Sequence, residues 1–128
     1  MPRVLLAEDN KLNQIVAAGT LRKLGYDIEI VDGGVDAVRA CTEGVFDAVL
    51  MDVMMPDLDG YAATGQIRAL ETERGGFRTP IIGLSARAME GDREIALVAG
   101  MNDYLTKPLR ERDLDDALRR WIGAPVVL

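Results

Sequence analysis

Residues 49 to 60 read VLMDVMMPDLDG, in which an apolar run ends at one carboxylate and a loop follows. The apolar residues before Asp52 are typical of the end of a buried strand, and the Pro and Gly after it mark a loop. In open parallel sheets, ligands bind beyond the carboxyl ends of the strands. An Asp before a turn more often caps nearby amides. A functional role for Asp52 therefore requires partner residues at the ends of other strands.

The same alternation of an apolar run and a helical segment continues along the chain. Such alternation requires parallel strands, right-handed crossovers and helices on both faces of the sheet. The sequence therefore predicts an α/β fold with one doubly wound, five-stranded parallel sheet over residues 1–123, a loose tail at 124–128 and no output domain. The predicted strands are residues 3–7, 27–32, 46–52, 79–86 and 102–108, and the predicted helices are residues 11–25, 35–44, 61–74, 90–99 and 111–122.

Composition limits the possible functions of this chain of 128 residues. Hydrophobic residues make up 48% and charged residues 28%, as in globular proteins, and no apolar run reaches the ~18 residues of a membrane span. With no signal-peptide pattern either, the expected location is the cytoplasm. A net charge of -6 opposes direct nucleic-acid binding. Cys41, the only cysteine, is predicted to pack within a helix interface, and because the chain lacks His, any histidine chemistry requires a partner.

Polar residues follow four of the predicted strands. Glu8 and Asp9 follow the first strand, Asp52 ends the third, Ser85 ends the fourth and Lys107 ends the fifth. Because parallel strands end at the same edge of a sheet, these side chains are expected to lie close together. Three neighbouring carboxylates repel one another unless a cation lies among them, and Mg²⁺ prefers oxygen ligands of this kind. The sequence predicts a Mg²⁺ (or Mn²⁺) site at this edge.

Four motifs resemble those of one family, the phosphoacceptor receiver domains of two-component response regulators. They are VLLAEDN, VLMDVMMPDLDG, PIIGLSA and YLTKP, in that order, and they span nearly the whole chain. The EDN-x-x-NQ run at residues 8–14 most resembles receivers of hybrid sensor histidine kinases. The resemblance implies a flavodoxin-like fold with sheet order 2-1-3-4-5 and a site at the switch point between strands one and three.

The resemblance also implies a function and a set of metal ligands. Asp52 is expected to accept a phosphoryl group in a Mg²⁺-dependent reaction, after which the domain changes conformation to signal. Glu8, Asp9, Asp52 and the backbone carbonyl of Met54 are expected to hold the ion. Such a protein is not a conventional enzyme, although it catalyses its own aspartyl phosphorylation and slow dephosphorylation.

Further roles are carried over by the same resemblance. Lys107 is expected to pair with the acceptor carboxylate or a phosphoryl oxygen, and the Lys107 to Pro108 peptide is expected to be cis. Ser85 is expected to hydrogen-bond the phosphoryl group, and Tyr104 is the switch aromatic that reports the change. Met54 and Arg87, each two residues beyond Asp52 and Ser85, have no fixed residue type in the family, and they are expected to affect the lifetime of the phosphorylated state by shielding it from water or admitting water to it.

The first helix is predicted to have two apolar faces. Helical spacing assigns one face to the sheet. Its residues are Val16, Ala17, Thr20, Leu21 and Leu24. A second group points elsewhere and is predicted, together with Pro108, to dock the partner that carries the donor histidine. This group is Leu12, Ile15 and Gly19. The expected partner is a histidine kinase or a histidine phosphotransfer protein.

Two alternative functions remain at this point. The DLDG run at residues 57–60 resembles the nucleophile motif of haloacid-dehalogenase-type phosphatases, which would make Asp57 the acceptor. A pseudo-receiver, which only binds a partner without being phosphorylated, is the other. Labelling by a small phosphodonor distinguishes these functions from that of a receiver.

Overall fold

The computed structural model of the chain describes residues 1–86 and 90–122. Within these residues, five strands alternate with five helices, and none of those helices combines the length and apolar character needed to cross a membrane. The elements are β1 (Arg3–Ala7), α1 (Lys11–Lys23), β2 (Asp27–Val31), α2 (Gly34–Glu43), β3 (Ala48–Asp52), α3 (Gly60–Arg74), β4 (Ile81–Ser85), α4 (Asp92–Ala99), β5 (Asp103–Thr106) and α5 (Glu111–Ile122).

All five strands are parallel, and their order is β2-β1-β3-β4-β5. The predicted flavodoxin-like fold and sheet order are confirmed. The chain leaves β1 toward β2 on one side and later places β3 on its other side, which opens a crevice at the carboxyl ends of β1 and β3. The predicted tail at 124–128 and the end of the predicted domain at 123 lie outside the described residues.

The sheet is covered by helices on both faces, and alternate strand residues serve two separate cores. Leu6 and Leu50 pack with residues of α1 and α5 on one face. Leu5 and Val49 pack with residues of α2, α3 and α4 on the other. Because both faces are covered, the functional side chains lie at the edge where the strands end.

The predicted inner face of α1 requires one correction. Val16 is 54% exposed and lies beside Leu12 and Ile15, which are 68% and 69% exposed. Gln14 takes a buried position instead. Successive helix residues turn by 100°, so residues 12, 15, 16 and 19 fall on one side of the helix, and that side faces solvent. Helical spacing grouped Val16 with Ala17 and Leu21 on one broad face, although the sheet lies on the side of Gln14, Ala17 and Leu21.

Helical spacing predicts an inner stripe on α5 that consists of Leu114, Ala117, Leu118, Trp121 and Ile122. The first three of these residues are buried. Trp121 is the exception, since more than a third of it is exposed. Its indole Nε1 donates a hydrogen bond to Oδ2 of Asp103, at 3.0 Å. The polar edge of the ring therefore holds Trp121 over the start of β5 and out of the core.

Cys41 lies partly buried in α2 and packs against the core shared with α3, as predicted. Burial raises the pKa of its thiol to about 11. Because the thiolate is the nucleophilic form of cysteine, this thiol is poorly reactive at neutral pH.

Candidate functional site

The structure brings the predicted polar residues together at the carboxyl edge of the sheet. Glu8 and Asp9 directly follow β1, Asp52 is the last residue of β3, and Ser85 is the last residue of β4. The backbone N–H of Lys107, just after β5, donates to the carbonyl oxygen of Ser85 at 2.6 Å. The ends of four neighbouring strands thus form one site.

Three carboxylates and one ammonium group form the centre of this site. Oxygen atoms of Glu8, Asp9 and Asp52 all lie within 4.8 Å of one another. Glu8 and Asp52 are only 2% and 4% exposed, whereas Asp9 is exposed. Nζ of Lys107 lies 2.6 Å from Oε1 of Glu8 and 3.1 Å from Oδ2 of Asp52. With three acidic groups and one basic group, the cluster carries a formal charge of about −2 when all are ionised.

Burial and neighbouring charges both shift the pKa values of Glu8 and Lys107. Burial raises the pKa of Glu8, and the adjacent Asp52 carboxylate raises it further, while Lys107 opposes both effects. For Lys107, burial favours the neutral amine, but the hydrogen bond to Glu8 and the charge of Asp52 outweigh it and raise the pKa. Lys107 therefore stays protonated, and its single positive charge faces three carboxyl groups. This donor set fits a hard divalent cation such as Mg²⁺.

The β3–α3 loop, residues 53–59, positions main-chain groups beside Asp52. The Met54 N–H donates to Oδ1 of Asp52 at 3.2 Å, and the Gly60 N–H donates to the Val53 carbonyl at 2.9 Å. A Cβ on Gly60 would lie 2.3 Å from the carbonyl oxygen of Asp52, so the loop closes only with glycine there. The Met54 main chain thus lies next to the acidic cluster, and its carbonyl as a metal ligand stays a prediction.

Ser85 and Tyr104 lie together on the β4 side of the site. Ser85 is buried and Tyr104 is half-buried, and both line one cleft of about 470 Å³ with Met54 and Ala86. The Tyr104 hydroxyl lies 3.5 Å from Oδ2 of Asp92, to which it donates. This shared cleft is the arrangement that the predicted switch pair requires, although their roles stay predictions. Arg87, with its predicted effect on lifetime, lies outside the described residues.

The predicted cis peptide between Lys107 and Pro108 is confirmed. Pro108 is exposed and lines a groove of about 210 Å³ with Leu12 and Val16 of α1. Glu8 and Lys107 line the same groove. Two of the predicted docking residues, Leu12 and Pro108, therefore lie beside Glu8 and Lys107 of the acidic cluster. We call the exposed apolar residues of α1 the α1 patch, which consists of Leu12, Ile15, Val16 and Gly19.

Gln14 is a site residue that the sequence prediction missed. Its side-chain amide donates to the carbonyl oxygen of Glu8 at 2.6 Å and to Oδ1 of Asp32 at 2.7 Å. It thereby holds the turn that carries Glu8 and Asp9 against the β2–α2 connection. The available signal was a polar residue one helical turn before Ala17 and Ala18, on the side of the helix that faces the sheet.

Asp57, the proposed acceptor in the phosphatase alternative, does not lie at a strand end. Its carboxylate accepts hydrogen bonds from the backbone N–H groups of Gly34 and Val35, each at 3.1 Å. The strand end belongs to Asp52. The geometry thus gives Asp57 a capping role at α2 and removes the basis for the phosphatase alternative.

Comparison with known families identifies this arrangement. The family model described as the response regulator receiver domain matches residues 4–119. The chain belongs to this family. The receiver is 44% identical over 122 residues to the sensor protein GacS of Pseudomonas syringae pv. syringae, covering 95% of this chain and 14% of GacS. The chain therefore spans only a small part of the curated relatives it matches, and the predicted similarity to receivers of hybrid sensor kinases is confirmed.

Solved structures agree with this assignment. One is the receiver domain of the sensor histidine kinase PA1611 from Pseudomonas aeruginosa PAO1, which was crystallised with a magnesium ion coordinated in its active-site cleft. It is 51% identical to this chain, with a TM-score of 0.86, and the match covers 95% of this chain and 98% of the PA1611 receiver. Another is the receiver domain of Ssk1 from Saccharomyces cerevisiae, which was co-crystallised with the histidine phosphotransfer protein Ypd1. It is 32% identical to this chain, with a TM-score of 0.90, and the match covers 98% of this chain and 92% of the Ssk1 chain. The magnesium ion of the PA1611 receiver lies in that protein's active-site cleft, and this receiver has an acidic triad at the carboxyl edge of its sheet.

Proposed function

We propose that this receiver takes a phosphoryl group from a histidine of a partner protein onto Asp52, with Mg²⁺ held by Glu8, Asp9, Asp52 and the Met54 carbonyl. The observation that carries the proposal is the cluster of three carboxylates within 4.8 Å of one another, two of them bridged by Lys107. The sequence contains no histidine, so the donor histidine must lie outside these 128 residues.

The transfer is a displacement at phosphorus. An Oδ atom of Asp52 forms the new P–O bond while the P–N bond to the donor imidazole breaks, and the imidazole nitrogen recovers its electron pair. When bound, Mg²⁺ supplies positive charge that stabilises the phosphoryl oxygens. The Lys107 ammonium lies 3.1 Å from Oδ2 of Asp52, where it can neutralise the same developing charge. The Ser85 hydroxyl is proposed to hydrogen-bond the phosphoryl group, and Tyr104 to respond in their shared cleft.

The first prediction is that a small phosphodonor labels the native protein only when a divalent cation is present. Without the cation, the anionic donor meets a cluster of net negative charge, so its approach is unfavourable. Intact-mass spectrometry after incubation with acetyl phosphate, with Mg²⁺ or with excess chelator, measures the labelling. Equal labelling in both samples would remove the metal from the mechanism, and no labelling in either would favour the pseudo-receiver alternative.

The partner is proposed to be a histidine kinase or a histidine phosphotransfer protein that docks on the α1 patch and Pro108. The donor imidazole must come within bonding distance of Asp52, so docking has to occur beside the strand ends. The α1 patch meets this requirement because Leu12 and Val16 share a groove with Glu8 and Lys107. Since a histidine kinase makes phosphohistidine from ATP, we propose that the transfer takes place in the cytoplasm.

The second prediction is that Ile15→Asp slows phosphotransfer from a cognate histidine-containing partner at least ~10-fold, or ~1.4 kcal/mol in the transfer transition state. An added carboxylate in the centre of an apolar interface loses hydration without gaining a partner. Labelling by acetyl phosphate should be nearly unchanged, because a small donor needs no docking surface. Rapid-quench measurement of both reactions compares the two donors.

Val98→Asp is the matched control, because Val98 is an apolar residue of α4 that is 89% exposed. The same substitution there places the same charge on a different helix. Equal slowing with both donors would mean that Ile15 supports the site or the fold. Slowing by Val98→Asp but not by Ile15→Asp would place docking on α4.

A further inference from the structure

Both ends of α2 are hydrogen-bonded by side chains that follow β3 in the sequence, Asp57 at its start and Arg74 at its end. Gly33 precedes the helix and supplies no side-chain cap, and Gly44 follows it. The guanidinium of Arg74, at the end of α3, donates to the carbonyl oxygens of Cys41 and Thr42 in the last turn of α2. At the other end, the carboxylate of Asp57 accepts from the first helical N–H groups. α2 therefore obtains both of its side-chain caps from outside its own sequence.

The contact at Asp57 is a close, two-point attachment. Each carboxylate oxygen accepts one N–H, from Gly34 and from Val35, at 3.1 Å, although these residues precede Asp57 by 23 and 22 positions. A Cβ on Gly34 would lie 2.1 Å from the carbonyl oxygen of Leu58, so glycine at position 34 permits the loop to reach the helix. Slight burial opposes ionisation, but the backbone hydrogen bonds from Val35 and Gly34 lower the pKa of Asp57. The carboxylate is thus held charged at the positive end of the helix.

The loop that Asp57 attaches is the one that borders the acidic cluster. Its first residue is fixed by the Val53 N–H, which donates to the Leu84 carbonyl at 2.9 Å. At its end, Oδ1 of Asp59 accepts from the Ala62 N–H at 2.8 Å and caps α3. Met54 and its carbonyl lie between these fixed points, and Asp57 ties this middle portion to α2. The Met54 main chain therefore lies between its hydrogen bond to Asp52 and the attachment of Asp57 to α2.

We propose that Asp57 is a positioning residue that couples α2 to divalent-cation binding, by anchoring the β3–α3 loop so that the Met54 carbonyl faces the acidic cluster. This inference rests on the proposed function, because it takes that carbonyl as a ligand. Coupling between two sites is reciprocal. Loss of the anchor should weaken cation binding, and cation binding should stabilise the hydrogen bonds at the first turn of α2.

The third prediction is that Asp57→Ala weakens Mg²⁺ binding about 10-fold, as loss of a group that orients a metal ligand typically does. Isothermal titration calorimetry with Mg²⁺ alone measures the affinity, and urea unfolding of the same samples measures stability. Glu71→Gln is the control, since Oε2 of Glu71 accepts from the Thr79 N–H at 2.8 Å, at the edge of the sheet where β4 begins. That variant should lose stability and keep its Mg²⁺ affinity. Asp57→Asn, which keeps one acceptor oxygen, should fall between native and Asp57→Ala.

Hydrogen exchange at the Gly34 and Val35 amides tests the reverse direction of the coupling. In the native protein, saturating Mg²⁺ should slow exchange at both amides, and in Asp57→Ala it should have no effect on them. An Asp57→Ala variant that is less stable but binds Mg²⁺ as tightly as the native protein would overturn the inference and leave the proposed function intact. A native protein that binds no Mg²⁺ would overturn both.

Discussion

Asp52→Asn is expected to reduce labelling by acetyl phosphate to below ~1% of the native level, because a carboxamide is not the anionic nucleophile that forms an acyl phosphate. The substitution is nearly isosteric, and it removes one of two buried carboxylates that lie together against Lys107. Less repulsion of Glu8 should leave the folded state as stable as native or more so. Intact-mass spectrometry measures the label, and urea unfolding shows that the variant is folded.

A folded Asp52→Asn variant that reaches the native level of label would place the acceptor on another residue. Asp9 is the nearest exposed candidate in the cluster, and Asp57 is the candidate of the phosphatase alternative. Double variants that add Asp9→Asn or Asp57→Asn to Asp52→Asn would then identify the true acceptor.

Lys107→Met is expected to separate phosphoryl acceptance from cation binding. Labelling by acetyl phosphate should slow about 100-fold, the loss typical of one preorganised charge-stabilising group. Mg²⁺ affinity should stay equal or rise, because the ammonium of Lys107 lies 2.6 Å from Glu8 and 3.1 Å from Asp52 and repels a second cation there. Labelling rates at saturating Mg²⁺ and calorimetric titration measure the two effects separately.

Lys23→Met is the control for loss of one positive charge. Nζ of Lys23 lies 2.9 Å from Oε1 of Glu111 in an exposed ion pair away from the site, so neither quantity should change. If Lys107→Met lost labelling and Mg²⁺ binding in parallel, Lys107 would act by holding the site together. If it lost neither, its position between Glu8 and Asp52 would have no role in the transfer.

The fold and the centre of the site were predictable because each depends on one robust regularity. Alternation of apolar runs and helical segments requires the strands to be parallel. The last residues of parallel strands lie at the same edge of the sheet. Glu8, Asp9, Asp52, Ser85 and Lys107 follow from that rule, and the structure brings them together.

The errors arise where a helix face or a polar contact depends on tertiary context. Helical periodicity gives the angle between Val16 and Ala17 but does not say on which side of Ala17 the sheet lies. Gln14 can be buried because its side-chain amide donates hydrogen bonds to the Glu8 carbonyl oxygen and to Asp32. No local sequence pattern predicts these hydrogen-bond partners. Helical spacing places Trp121 on the inner stripe of α5, although its indole N–H donates a hydrogen bond to Asp103 and the side chain stays partly exposed.

Asp57 was overlooked as a cap for a different reason. Helix caps are normally found in sequence at the residue just before the helix, and α2 has Gly33 there. The cap comes from a loop more than twenty positions later, and only the fold brings the two together. The nearest sequence signal was an uncapped helix start with two glycines, which indicates that another segment approaches closely.

Asp52 is proposed to be the single acceptor of the phosphoryl group, and chemical mapping of the adduct identifies the modified residue. Native protein is phosphorylated by acetyl phosphate with Mg²⁺, and borohydride then reduces the acyl phosphate, so that the modified aspartate becomes homoserine. Peptide mass spectrometry locates the converted position. The structure predicts homoserine at position 52, where the carboxylate ends β3 beside Lys107, and at no other acidic residue. Homoserine at position 57 or position 9, with Asp52 unmodified, would contradict this account.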